Sequence, residues 1–562
     1  ALASLALLLA TEPVPAQQSS SRAVPLATRD DSIAAVLRAA TADARLEELR
    51  WPRFPEHRDD LRGIYEPRAY APLWFAAGRP GGQARAAVDV LLDAKSRGLD
   101  PADYDAARLD RELRTLQAGS AVSGATLAGL DAALTVNLLR LVSAVHSGRV
   151  NPRALGHHLQ VAPERLDLAT LVPGAVDADR IAELVTDAEP AVAQYDHLVR
   201  ALATYRQLAA APDGQPVPAL ASALRPGSSW HGVPWLRRRL ARVRDLPSDA
   251  RAPASDSLRY TDELAAGVRR FQSRHGLDVD GVVGPATMRA LRVPLDARVR
   301  QLELALERVR WLPEPPEGPL IVVNIPAFQL HAFDSAGGEG TPSLVSRVIV
   351  GRASATPTPL LTAHVRYVEF RPYWNVPRSI LRSEILPALR RDPDYLRTHD
   401  MELVRHFADD APVLAPTPQA LAALRAGTLQ VRQRPGSRNP LGAVKLVFPN
   451  SANVYLHGTP DTTLFARTRR DFSHGCMRVE QAEALANWVL RGHSAWPPER
   501  VHATMREPGG PTRAELARPV PVLIVYATAI ARADGTVMFF EDIYRHDRRL
   551  EAALARGAPY GT

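Results

Sequence analysis

The one cysteine among 562 residues, Cys476, stands in the run Phe472-Ser473-His474-Gly475-Cys476-Met477-Arg478, a glycine-containing turn between polar segments. A lone thiol there is a candidate nucleophile. The thiolate is the attacking species, and a free cysteine with a pKa of ~8.5 is mostly protonated near neutrality, so a base must take the proton. Nineteen residues upstream, Tyr455-Leu456-His457-Gly458-Thr459 reads as a strand ending at a histidine, a spacing that suits neighbouring strands joined by a surface loop. His457 is the candidate general base and acid. The Gly458 carbonyl, or a carboxylate, can orient its second nitrogen, and the amides of Gly475 and Cys476 can face a developing oxyanion. His474 fits a second base, a substrate contact or a loop-ordering residue. Against this stands the commoner fate of a single cysteine, burial as a small hydrophobe.

His457-Gly458-Thr459 followed by Ser473-His474-Gly475-Cys476 and Arg478 resembles the signature of the L,D-transpeptidases, cysteine acyltransferases that cross-link bacterial peptidoglycan. The resemblance implies that Cys476 attacks the carbonyl after the L-centre of the third residue, a diaminopimelate, of a tetrapeptide stem. D-Alanine leaves, and an amine of a second stem resolves the thioester, joining two third positions. The resemblance also implies substrate contacts from Arg478, Tyr455, Ser473, Trp374 and Asn375, although an intramolecular ion pair is an equal reading of Arg478. No cofactor and no metal is expected. The expected partners are stem peptides, as tetrapeptide donor and amine acceptor, and other wall-synthesis enzymes; a part in cell shape and acylation by carbapenems follow from the same resemblance.

Water as acceptor would make the same site an L,D-carboxypeptidase, and a protein lysine would make it a lipoprotein-to-peptidoglycan ligase. A noncatalytic wall-binding scaffold is disfavoured because His457 and Cys476 are both present. A zinc peptidase using His457, His474 and Cys476 fits worse, with two ligands two residues apart on one loop and no His-Glu-x-x-His run.

The elements that must carry these residues begin where the periodicity turns to strands, near Leu320. Ile321 to Ile325, Gln329 to Phe333 and Val345 to Val350 are β-rich runs between Pro or Gly turns. With Val350-Gly351-Arg352, the turn from Thr356 to Pro359 and Tyr373-Trp374-Asn375-Val376-Pro377, they resemble the YkuD-type catalytic domain of that family. This domain is expected over 295–507, interrupted by a helical cap insertion at about 379–434 in which Thr417-Pro418 opens a helix that Gly427 stops. In the large branch of the family such an insertion is a lid that shields the acyl-enzyme from water; a packing embellishment is the plainer reading. After the motif, Gln481 to Leu490 is a helix with Ala484, Leu485, Trp488 and Val489 as apolar positions. A strand over 520–527, a hairpin at Asp534-Gly535 and a helix from Asp542 complete the catalytic region over 508–562.

Upstream, 32–210 reads as helical, with helices at Ala84 to Ala94 and Asp131 to His146. Tyr70-Ala71-Pro72-Leu73-Trp74, Gly98-Leu99-Asp100-Pro101 with Tyr104, and Gly148-Arg149-Val150-Asn151-Pro152 resemble the scaffold domain of the large branch. A linker over 211–229 leads to 230–294, where Thr261 caps a helix carrying Leu264, Val268 and Phe271. Phe271-Gln272, Gly276-Leu277, Asp280-Gly281-Val282-Val283-Gly284-Pro285 and Thr287 resemble the small three-helix peptidoglycan-binding module of wall enzymes. The expected fold class is therefore multidomain α+β.

Residues 1–16 read as the remnant of an export signal, followed by a polar linker over 17–31, and no later stretch reads as long and apolar enough to span a membrane. Export to the periplasm is expected, with membrane anchorage if the signal stays uncleaved. The formal charge of +8 comes from scattered arginines with matching acids, and without a basic block or interleaved aromatics it points to a solvated surface and no nucleic-acid partner.

Overall fold

The structure, a computed structural model, describes residues 31–159, 165–211, 216–247, 257–314, 316–335 and 341–557. The expected signal remnant and the linker up to residue 30 lie outside the described residues, as do 212–215 of the second linker.

The helical region is built around α1 (Gly124–Ser147), which starts seven residues before the expected Asp131 because the Ser123 hydroxyl accepts from Thr126 N at 3.1 Å. It ends at Gly148, whose φ of +83° only glycine adopts without strain. At 24 residues this helix has the length and apolarity of a membrane span, which corrects the expectation that no stretch does; 89% of its most apolar window is buried in the protein. Three polar residues mask the run in sequence, and each finds a side-chain or backbone partner inside the fold, the Asn137 amide oxygen alone being left without one among the described residues. Asp131 accepts from Tyr65 Oη at 2.6 Å, Leu73 N at 3.0 Å and Trp74 N at 2.8 Å. Arg140 donates to the carbonyls of Trp51 and Arg53, and Asn137 to Asp105. The Tyr-Ala-Pro-Leu-Trp run is thus anchored by one buried carboxyl group.

Helix α2 (Ala193–Ala210) closes this region, and the module follows with helices Val233–Arg242, α3 (Asp262–Arg274) and Pro285–Arg292. Buried Gln272 of α3 ties the module's turn together. Its amide donates to Asp280 Oδ1, Val282 O and Thr287 Oγ1 and accepts from Gly281 N at 2.9 Å. An unexpected fifteen-residue helix, α4 (Leu295–Val309), then joins the parts. It shares a core with α2 and with the hairpin Ala529–Ala531/Val537–Phe539, so the hairpin packs here and not in the main sheet. Glu307 of α4 accepts from Arg149 N at 2.6 Å and Val150 N at 2.9 Å, which docks the Gly148 turn onto it.

The remaining strands form a nine-stranded sheet: β1 (Leu320–Asn324), β2 (Gln329–Phe333), β3 (Leu344–Gly351), β4 (Leu361–Phe370), β5 (Val444–Val447), β6 (Leu456–His457), β7 (Asp471–Ser473), β8 (Met477–Val479) and β9 (Thr512–Val525). Their order is β7-β3-β8-β6-β5-β4-β9-β1-β2, and β2 also pairs with β3, which closes the curve. The insertion leaves after β4. It carries a three-stranded sheet of its own, Trp374–Asn375 and Met401–Val404 on either side of Gln430–Gln433, over a small apolar core that includes Ile380, Leu403, Leu424 and Val431. The helix Pro418–Ala426 is capped by Thr417 and stopped by Gly427, as its sequence predicts. Helix α5 (Ala482–Val489) packs on β5 and β3, with Leu485 and Ala486 buried and Ala484, expected on the apolar face, turned to solvent.

Candidate active site

Strands β6 and β8 run parallel, with Leu456 opposite Met477 and His457 opposite Arg478. Their neighbours fix the rest of the face. On β5, Lys445 pairs with His457; on β4, Glu369 pairs with Lys445; on β9, Arg513 pairs with Glu369. Paired residues share a face of the sheet, so Arg478, His457, Lys445, Glu369 and Arg513 form one row across five strands. Tyr455 and Cys476 lie on that face one step back, Cys476 where the loop enters β8.

The cysteine loop is held from several sides. Gly475 has φ of +117°, and its carbonyl accepts from Thr358 Oγ1 at 2.8 Å. Thr356 Oγ1 and Arg352 N both donate to Ser473 O at 3.0 Å. Thr358 in turn is braced by Tyr544, whose hydroxyl accepts from Thr358 N at 3.2 Å and donates to Gly351 O at 2.5 Å. The thiol is half-buried, with Asn453 O as its acceptor at 3.9 Å.

The His457 ring is 4% exposed, and its Nδ1 donates to Gly458 O at 2.6 Å, which leaves Nε2 as the acceptor nitrogen of the neutral ring. Gly442, with φ of +66°, lets the preceding turn reach this carbonyl; a Cβ there would stand 2.9 Å from Gly458 C. Burial and then the neighbouring Arg478 push His457 down to about 3, against the pull of the Gly458 and Leu441 carbonyls. Burial pushes the Cys476 thiol up, while Tyr455 and the Lys445 ammonium pull it down. No hydrogen bond joins Sγ to the imidazole: Cys476 stands two residues before Arg478, the partner of His457, so the two side chains meet only across the diagonal.

Several expected roles change. Ser473, expected to touch substrate, is 3% exposed, accepts from Gly475 N at 3.2 Å and donates to Cys476 O at 2.5 Å, so its hydroxyl ties the loop. The same bond occupies the Gly475 amide expected at the oxyanion; the Cys476 amide meets no acceptor among the described residues. Trp374 and Asn375 belong to the insertion's sheet, opposite Gln433 and Arg432, with the Trp374 ring packed on the insertion's core. Arg478 makes no ion pair among the described residues, Asp461 being the carboxylate that acts on it. His474 is exposed and its Nε2 meets Glu384 Oε1 of the insertion at 2.9 Å. Sequence reasoning missed Glu369, Glu384, Gly442 and the weight of Lys445, because their relevance comes from strand register and loop contact. No cluster of three or more metal-ligating side chains occurs among the described residues.

Residues 59–202 match a family model described as "Scaffold domain", residues 231–291 one described as "Putative peptidoglycan binding domain", and residues 318–503 one described as "L,D-transpeptidase catalytic domain". A Haemophilus influenzae protein named "Putative L,D-transpeptidase" is 31% identical over 258 residues, 45% of this chain and 49% of that protein, so the match spans about half the length of that curated relative. A crystal structure of the L,D-transpeptidase (residues 123–326) from Xylanimonas cellulosilytica aligns with 55% of this chain and all of that one at 15% identity, with a TM-score of 0.18.

Proposed function

Because this chain carries a YkuD L,D-transpeptidase catalytic domain behind a scaffold domain and a peptidoglycan-binding domain, we propose that it forms cross-links between third-position residues of peptidoglycan stems through a Cys476 thioester. The carrying observation is the placement of the chain's one cysteine in a tied loop at the start of β8, on the same sheet face as a buried, neutral His457 whose Nδ1 is fixed by a carbonyl. On this reading Cys476 gives its proton to His457 Nε2 as it attacks, and the imidazolium returns it to the departing D-alanine amine. The Cys476 amide is the donor available to the oxyanion, and Arg478 is the half-buried cation available to a stem carboxylate. The insertion shields the thioester from water, held to the cysteine loop by His474 and Glu384. The same reading places the protein in the periplasm and makes its thiol a target of carbapenems.

Mass spectrometry of the protein incubated with disaccharide-tetrapeptides, with Cys476→Ala as control, tests this. Dimers joined between third positions and lost in Cys476→Ala are expected. Cysteine-dependent tripeptides alone would turn the reading to an L,D-carboxypeptidase, and dimers that persist in Cys476→Ala would remove the nucleophile assignment.

A further inference from the structure

We propose that Lys445 is the positioning residue that supplies the counter-charge for the Cys476 thiolate, acting across the Tyr455 ring, while His457 only relays the proton. This rests on the reading of Cys476 as nucleophile.

At rest His457 is unable to hold a positive charge beside the thiol. It is buried and flanked along its row by two cations, Arg478 on β8 and Lys445 on β5. A lasting thiolate–imidazolium pair, the usual way a cysteine is kept ionised, would therefore place a third positive charge between two others. The stable positive charge has to sit elsewhere.

Lys445 meets that need by geometry. Its Nζ lies 4.3 Å from the centroid of the Tyr455 ring, and Tyr455 immediately precedes β6 where Cys476 enters β8, with Met477 N donating to Tyr455 O at 3.1 Å. Glu369, opposite it in register, is the carboxylate that most favours the ammonium, but it lies 3.9 Å from Arg513 and makes no ion pair with Lys445. A partly buried ammonium resting on an aromatic face, with no carboxylate in ion-pair contact, is an expensive arrangement unless a further anion forms nearby. The sulfur is that anion when the thiol ionises.

No other group around the thiol supplies the charge. Just before β6, Tyr455 hydrogen-bonds the sulfur and favours the thiolate but is a neutral phenol, and β6 itself brings His457. From β8 comes Arg478, which lies beside His457. Beyond β8, β3 sets Ile349 opposite Arg478 and Val348 opposite Val479, both apolar. In the loop itself, His474 is turned to Glu384. The proton balance is simple: the Sγ proton goes to His457 Nε2 and on to the leaving amine, and Lys445 keeps all of its protons.

The test is the rate of alkylation of the chain's single cysteine by iodoacetamide between pH 5 and 10, read by intact mass in the wild type, Lys445→Met, Lys445→Arg and His457→Asn. It uses no peptidoglycan, so it is read whether or not cross-links form. Lys445→Met is expected to move the alkylation midpoint up by about one pH unit, ~10-fold less thiolate at neutrality, with Lys445→Arg close to wild type and His457→Asn within about 0.3 unit of it. An unshifted Lys445→Met, or a shift in His457→Asn equal to that expected of Lys445→Met, overturns the proposal. Should Lys445→Met fail to give a cooperative melt, Lys445→Arg and His457→Asn carry the test, and an upward shift in either overturns it.

Discussion

His457 owes its state to its neighbours: burial first, then Arg478, hold it down at about 3. A base must be neutral to accept a proton, so at pH 5 this ring is still competent, whereas an ordinary histidine would be mostly charged. The acid side of the kcat/KM profile is therefore expected to stay within about twofold between pH 7 and 5. A tenfold loss with a midpoint near 6.5 would show that the ring titrates normally and that its flanking cations do not matter. The Gly458 carbonyl as the partner of His457 was readable from residue types and spacing, because it follows the histidine directly. What Ser473, Gly475, Trp374 and Asn375 bond or pack against was not. Whether a hydroxyl, an amide or a ring is available depends on what it already bonds or packs against, and Ser473 and Gly475 are bonded to each other.

At the scale of elements, the insertion touches the cysteine loop through His474 and Glu384, a pair exposed enough to be worth at most about 1 kcal/mol. In the proposed lid, a contact that weak closes the site without locking it. Glu384→Ala is expected to raise the ratio of tripeptide to dimer by up to about fivefold as water gains access to the thioester, measured in the same product assay; an unchanged ratio would make the insertion a packing element. The sequence predicted the helices at Ala84 to Ala94 and Gln481 to Leu490 and the three strands β1 to β3 to within about two residues, since period and caps agree there. It passed over α4, whose Arg298, Glu307 and Arg308 are buried at the junction of the parts, so that its charged residues look like a solvated face. It shortened β9, where Pro519 and Pro521 argue against a strand and a register shift between Glu515 and Val520 accommodates them. It also left unassigned β4, the strand that carries Glu369 into the row of charges, because alternation alone does not say which strand is central.

Across the whole molecule, buried histidines recur. Burial pushes His157 down to about 4 and His546 to about 3, as it does His457, and it also lowers His275 and His331. Each folded value lies below the unfolded one near 6.5, so the unfolded chain binds more protons as pH falls through 6.5, and the stability present above that pH is lost. Buried carboxyls act the other way: Asp131 is pushed up to about 6, and Asp245 and Asp547 are raised, which favours the folded state only as they take up protons at lower pH. Between pH 7.5 and 6 the histidines dominate, and urea midpoints are expected to fall by the equivalent of roughly 0.5–1 kcal/mol per histidine. Midpoints that stay constant or rise over that interval would contradict the buried, neutral assignment. The brace from Tyr544 to Thr358 and Gly351 has a consequence in time. Synthesis runs in one direction, and when Cys476 has just been made, the tyrosine that steadies its loop is still sixty-eight residues away. The thiol loop therefore precedes its own support, and a nascent chain holds a thiol that is not yet an aimed one. Its order arrives only with a tyrosine made sixty-eight residues later, a built-in delay between making the thiol and aiming it.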